Sequence, residues 1–153
     1  MARWIFCDAN FYNQLIYLLL CNHSISKTST MESLIFLVKG ICIDIHRQLG
    51  PGLLERVYQI ILAKELQKAG FHVETEKPVP INYAGETFDT GFRADIIVDN
   101  RLIIELKSVD QILPIHHIQL KTYLKLSGIH YGLLINFNAH NLVQDGFHRW
   151  YVD

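Results

Sequence analysis

The sequence has no basic surplus: 14 Lys and Arg stand against 15 Asp and Glu, a formal net charge of -1 at pH 7. No overall field advertises a nucleic-acid partner, so any attraction for phosphate has to be local or supplied by bound cations. Cysteine is scarce. Cys7, Cys21 and Cys42 are odd in number, scattered and set among apolar residues, which gives neither a disulfide framework nor a paired zinc spacing. They fit reduced core thiols in a cytoplasmic protein. Long apolar runs are missing as well. A bilayer-spanning helix needs roughly 20 apolar residues, whereas the apolar stretch at residues 11–21 (FYNQLIYLLLC) is short and interrupted by Asn13 and Gln14. It is a poor signal peptide too, because Asp8 opposes the lone early basic residue, Arg3, and no small-x-small cleavage site follows.

What is present describes an ordinary folded chain. Half the residues are hydrophobic and 19% charged, far from the composition of disorder. At 153 residues the chain is long enough for one core. A polar stretch at residues 22–30 precedes Met31, where a clear helical pattern opens. The expectation is that Met31 is the natural start, that residues 1–30 are an appended or upstream-read leader, and that residues 31–153 form a single domain.

Ser29 and Glu32 have the spacing of a capping box, and Leu34, Ile35, Val38, Ile41, Cys42, Ile45 and Leu49 then recur at helical period. Gly50-Pro51-Gly52 breaks this helix, with Pro51 suited to the first turn of the next, whose apolar stripe is Leu54, Val57, Tyr58, Ile61, Leu62 and Leu66 and whose cap is Gly70. Strand patterns follow. Phe71, Val73 and Thr75 alternate with polar residues, and Pro78 and Pro80 mark an edge or irregular strand. Ala84-Gly85 turns the chain. Residues 92–98 and 102–108 flank Asp99-Asn100 as a hairpin. Pro114 begins a third helix closed by Gly128, residues 131–136 (YGLLIN) read as a buried strand, and residues 147–152 add a short one. The order predicts an α/β fold with a mixed central sheet flanked by helices.

The chemistry concentrates at Glu105-Leu106-Lys107. Alternate side chains of a strand share a face, so Glu105 and Lys107 emerge side by side from an apolar strand. Charges in such a place cost several kcal/mol unless paired. Asp95 lies in the same condition, and register decides whether it joins them. A two-residue turn at Asp99-Asn100 sends Asp95 to the opposite face, whereas a three-residue loop sets Val98 across from Leu102 and Asp95 across from Glu105. The second arrangement requires a left-handed or bulged residue at Asn100 or Arg101. Two carboxylates there supply oxygen ligands to a hard cation such as Mg²⁺, and Lys107 can orient water or stabilise developing charge. A buried ion-pair cluster explains the same residues, and local spacing does not choose between the two.

Residues 93–107 (RADIIVDNRLIIELK) resemble the hairpin of PD-(D/E)xK nucleases, in which an acid on one strand meets an E-x-K on the next. Residues 119–123 resemble the Q-x3-Y helix motif of the RecB-like branch of that superfamily, and Gly52, Glu55 and Tyr58 match the signature of the small GxxExxY proteins. The resemblance covers residues 31–153. It implies a PD-(D/E)xK nuclease-like core, with Asp95 and Glu105 as metal ligands, the Leu106 carbonyl as a third, and Lys107 as the catalytic lysine. It also implies that Glu55 is a helical acid approaching the metal, and that Gln119, with Tyr123 one turn further on, orients water or the E-x-K backbone.

Other residues carry weaker signals. Adjacent helical side chains point about 100° apart, so His116 and His117 make a poor ligand pair; one of them caps or faces the site and the other is exposed. Tyr58 reads first as a core aromatic. Gly52 reads as a point of close backbone packing, because no Gly-rich phosphate loop surrounds it. Arg47, Arg56, Arg93, Lys121 and Lys125 are candidates for contacting a nucleic-acid backbone, the last two as an i,i+4 ridge. The sequence therefore predicts Mg²⁺- or Mn²⁺-dependent hydrolysis of phosphodiester bonds, in DNA before RNA, with nucleic acid as partner, no membrane, and a homodimer as an allowed assembly. The rival is a non-catalytic nuclease-like binding or assembly module, and a small-molecule hydrolase is a third class.

Overall fold

In the computed structural model, which describes residues 30–89 and 92–153, the chain folds into a five-stranded mixed sheet with helices on both faces. The first helix, α1 (Met31–Leu49), is capped by Thr30, whose side-chain oxygen accepts the Ser33 N–H at 3.3 Å. The expected Ser29 cap lies outside the described residues, and Glu32 does not complete a capping box. Its carboxylate is drawn instead to Arg149 at the far end of the chain. Residues 1–29, with Cys7 and Cys21, are likewise outside the description. Cys42 is the buried thiol expected, and burial raises its pKa, so it stays protonated.

Helix α2 (Glu55–Lys68) starts later than its sequence pattern suggests. Pro51 therefore sits in the preceding turn rather than in the helix, and Leu54, at 77% exposure, lies outside the apolar stripe together with Val57. Tyr58, Leu62, Ala63 and Leu66 form the buried face. Gly52 has φ +96° and open space where a Cβ would stand, so it is needed for its backbone conformation and not for close packing. Gly70, at φ +90°, follows the Ala69 cap as expected of a helix-terminating glycine.

Strand β1 (Val73–Pro78) lies at the sheet edge, where Pro78 costs no ladder bond, and pairs antiparallel with β4 (Arg93–Val98). Between them β2 (Ile81–Tyr83) and β3 (Glu86–Phe88) form a separate hairpin whose turn residues, Ala84 and Gly85, both have positive φ. β4 pairs antiparallel with β5 (Leu102–Lys107), and β5 runs parallel to β6 (Tyr131–Asn136) by way of the crossover helix α3 (Pro114–Ser127). A four-residue helix, α4 (Leu142–Asp145), which the sequence pattern did not signal, leads into β7 (Phe147–Tyr151), antiparallel to β6. Strand order is β1-β4-β5-β6-β7.

Helices α1 and α2 cover one sheet face with Ile96, Val98, Leu102, Ile104, Leu133 and Ile135. Helix α3 covers the other through Leu120, Tyr123 and Leu124, packed on Ile97, Ile103 and Leu134. Burial from both sides explains why four of the six β5 residues are apolar. Among the described residues no helix is long and apolar enough to cross a membrane.

The hairpin uses the three-residue loop. Val98 faces Leu102, and both Asp99 (φ +51°) and Asn100 (φ +53°) are left-handed. Left-handed backbone costs an ordinary L-residue about 1–2 kcal/mol and asparagine less. Asn100→Val, β-branched at this angle, is expected to lower unfolding free energy in urea by about that amount, while Asn100→Gly stays within a few tenths of the wild type.

Candidate active site on the α3 face of the sheet

The register sets Glu105 and Lys107 on the same face as Ile103, beneath α3. Glu105 is 1% exposed, and Lys107 donates from Nζ to its Oε1 at 2.7 Å. The other carboxylate oxygen of Glu105, Oε2, is buried and has no hydrogen-bond partner. Asp95 arrives from β4, its Oδ2 accepting the Leu106 N–H at 2.7 Å. The trio expected from the sequence is thus brought together at the open end of the hairpin, past its last paired residues, Ile96 and Ile104.

The electrostatics follow from this crowding. Burial pushes Glu105 up to about 7, reinforced by the nearby Asp95 charge and only partly offset by Lys107. Asp95 is raised to about 6, chiefly by burial, against the pull of the Leu106 N–H and Lys107. Desolvation acts to lower Lys107, but the Glu105 carboxylate and their hydrogen bond outweigh it, so its pKa is raised and it remains an ammonium. Glu55, the first residue of α2, adds its negative charge to the fields at Asp95, Glu105 and Lys107.

Two loop contacts fix where Glu55 stands. The Tyr58 hydroxyl donates to the Gly50 carbonyl at 2.6 Å and accepts the Leu53 N–H at 3.2 Å, while its ring stacks on Phe137 at 4.4 Å. The Ser108 hydroxyl, one residue past Lys107, donates to the Leu53 carbonyl at 2.6 Å. Tyr58 is therefore a core aromatic that also pins the loop before α2, which Ser108 ties to the end of β5.

From α3, Gln119 Nε2 donates to the Tyr123 hydroxyl at 3.0 Å. Tyr123 is buried on the sheet face that carries Glu105, and its pKa is raised, first by burial and also by the Glu105 and Asp95 charges. Gln119 reaches the site through Tyr123. Arg93 donates to the Glu76 carbonyl at 3.1 Å, Lys121 lies over the Trp150 ring at 4.0 Å, and Lys125 is exposed on α3. Arg56 pairs with Glu76 at 2.8 Å, and Arg47 stands 3.9 Å from Asp44.

His116 caps α3, its Nδ1 accepting the Leu113 N–H at 3.1 Å. His117 is not exposed as expected: its Nδ1 accepts the Trp150 indole N–H at 3.0 Å and its ring packs against His148. Among the described residues no three His, Cys, Asp or Glu side chains converge to hold a metal ion unaided. A cation here would take its carboxylates from Asp95 and Glu105 and complete its shell with water or substrate oxygens, which is how Mg²⁺ is commonly bound.

Sequence reasoning missed Gln59, Glu76 and Asn136. Asn136 lies beside Lys107 and staples the departing chain, exchanging hydrogen bonds with the Val109 backbone. A lone amide ending an apolar strand (YGLLIN) was its only signal. Gln59 and Glu76 gave none, because they meet Asp95 only through tertiary contacts.

Asp95 and Glu105 hold protons more tightly folded than unfolded. Their contribution to stability is therefore full below the ordinary carboxylate range and is lost as pH rises through about 6 to 7. In metal-free buffer Asp95→Asn should gain on the wild type between pH 5 and 8, by on the order of 1–2 kcal/mol at the upper end. Parallel melting profiles across that range would contradict the raised pair.

A family model described as the PD-(D/E)XK nuclease superfamily matches residues 32–150. No curated protein and no solved structure matches the chain. The match spans α1 through β7, and the five-stranded mixed sheet flanked by helices is consistent with that fold. The chain belongs to the PD-(D/E)XK nuclease superfamily.

Proposed function

We propose that residues 31–153 form a Mg²⁺- or Mn²⁺-dependent nuclease unit of the GxxExxY branch that hydrolyses phosphodiester bonds, in DNA before RNA. The observation that carries this reading is Glu105 Oε2, a carboxylate oxygen buried beside Asp95 without any hydrogen-bond partner. A charged group left so in a finished ion-pair cluster is costly. It fits a ligand oxygen that a divalent cation completes. Lys107 satisfies only Oε1, and burial raises both acids against the pull of its ammonium.

In this reading Asp95 and Glu105 hold the cation, which when bound polarises a phosphodiester oxygen and acidifies a water. Lys107, kept as an ammonium, orients that water or stabilises negative charge developing on the phosphate, and does not serve as a base. Glu55, at the start of α2 and close enough for its charge to act on both acids, would approach the cation directly or through water. Tyr123, held by its hydrogen bond from Gln119, would back the trio from the α3 side. Arg93, Lys121 and Lys125 are the candidates to meet the phosphate backbone.

The test incubates plasmid and single-stranded DNA, and RNA in parallel, with purified protein in Mg²⁺, Mn²⁺ or EDTA. Cleavage is expected only with metal and should fall at least about 100-fold in Glu105→Ala and in Lys107→Ala. Asp95→Asn should melt no lower than wild type in EDTA, since an asparagine oxygen can still accept the Leu106 N–H, yet lose the rise in melting temperature that Mn²⁺ gives. A large loss of stability in EDTA with an unchanged Mn²⁺ response would establish the structural ion-pair cluster instead.

A further inference from the structure

We infer that Gln59 is a positioning residue for Asp95, anchored by Glu76, and that this pair sets the cation affinity of the site; the inference rests on the metal-dependent reading above. Gln59 is 3% exposed on α2, and a carboxamide so buried must satisfy its donors and acceptor. Its Nε2 donates to Glu76 Oε1 at 2.7 Å and to the Asp95 carbonyl at 2.9 Å, and its Oε1 accepts from Arg56 Nη1 at 2.6 Å. The opposite amide orientation would set an oxygen against a carboxylate and a carbonyl, and a nitrogen against a guanidinium, so the network fixes the assignment.

Asp95 needs this outside partner because it is released from both neighbouring strands. The β1–β4 register pairs Thr75 with Ile96 and Lys77 with Ala94 but passes over Glu76 and Asp95. At that point Glu76 has φ +52°, uncommon for a non-glycine residue in a strand, and its carbonyl turns to Arg93. On the other side the β4–β5 register ends at Ile96 and Ile104, and the next Leu106 N–H goes to the Asp95 carboxylate. Asp95 is therefore held at two points, its carbonyl by Gln59 and its Oδ2 by Leu106. Without Gln59 the carbonyl is left unpaired or returns to the ladder, and the carboxylate loses its aim. Groups behind metal ligands commonly change metal affinity about 10–100-fold when removed.

The experiment compares wild type with Gln59→Leu, Glu76→Gly and Glu76→Gln. Glycine accepts the positive φ while deleting the anchor, and glutamine keeps an acceptor for Gln59. Calorimetric titration with Mn²⁺ and amide exchange of Leu106 relative to Ile104, measured by NMR in EDTA, are the readouts. Gln59→Leu and Glu76→Gly should bind Mn²⁺ about 10–100-fold more weakly and release the Leu106 amide about 10-fold faster relative to Ile104. Glu76→Gln should stay close to wild type in both. Wild-type values in Gln59→Leu would overturn the inference, and so would wild-type values in Glu76→Gly if Gln59→Leu does not fold. A wild type that binds no Mn²⁺ would sink the metal reading, and Leu106 exchange would then decide the positioning role by itself.

Discussion

Burying the Glu105 carboxylate at 1% exposure in a sheet covered on both faces is the constraint to which the surrounding structure answers. An isolated ionised group there would be neutralised or would unfold its strand. Lys107 two residues on supplies a cation on the same face, which only a strand's period of two permits. Asp95 then adds a second negative charge to a place that already resists the first. That arrangement works against stability, and stability alone gives no reason to keep it.

The backbone around the trio is shaped to hold it. Two consecutive left-handed residues, Asp99 and Asn100, carry the extra loop position that puts Asp95 on the correct face, and the Asp99 carboxylate repays part of that cost by accepting the His72 N–H at 2.9 Å. Glu76 stores a third left-handed conformation directly beside Asp95. Non-glycine residues are uncommon in this region, and three of the four among the described residues, Glu76, Asp99 and Asn100, lie beside β4 or directly after it. The loop before α2 is handled similarly: Tyr58 and Ser108 tie it down by hydrogen bonds from two different elements.

Much of this was legible in the sequence, for a physical reason. The limits of α3 and β6, the edge position of β1 and the three-residue loop follow from local signals: Pro114 and Gly128 bound a helix, an unbroken apolar run marks a doubly covered strand, and two acids that must meet select one register. What escaped was decided by partners distant in sequence. Glu32 left its capping box for Arg149, Leu54 fell outside a helix that begins one residue later, and α4 is too short to show a period. Gln59 sits beside Tyr58 and looks like the polar side of an amphipathic helix. Only the fold reveals that it faces Asp95, 36 residues away.

The absence of a basic surplus also becomes intelligible at this site. Ionised carboxylates at Asp95 and Glu105 with no cation between them would repel a phosphodiester, and a chain with formal charge -1 has no overall field to overcome that. Raised pKa values keep part of the negative charge off the two central acids near neutral pH. Under the proposed metal-dependent reading, a divalent cation that displaced those protons would convert the pair from a repulsive to an attractive centre. Attraction for substrate would then be created by occupation of the site, and on the proposed role of Gln59 its strength would depend on how firmly Asp95 is held. A strongly basic surface would bind phosphate whether or not the carboxylates were occupied; on the proposed reading a near-neutral surface would leave the decision to the cation.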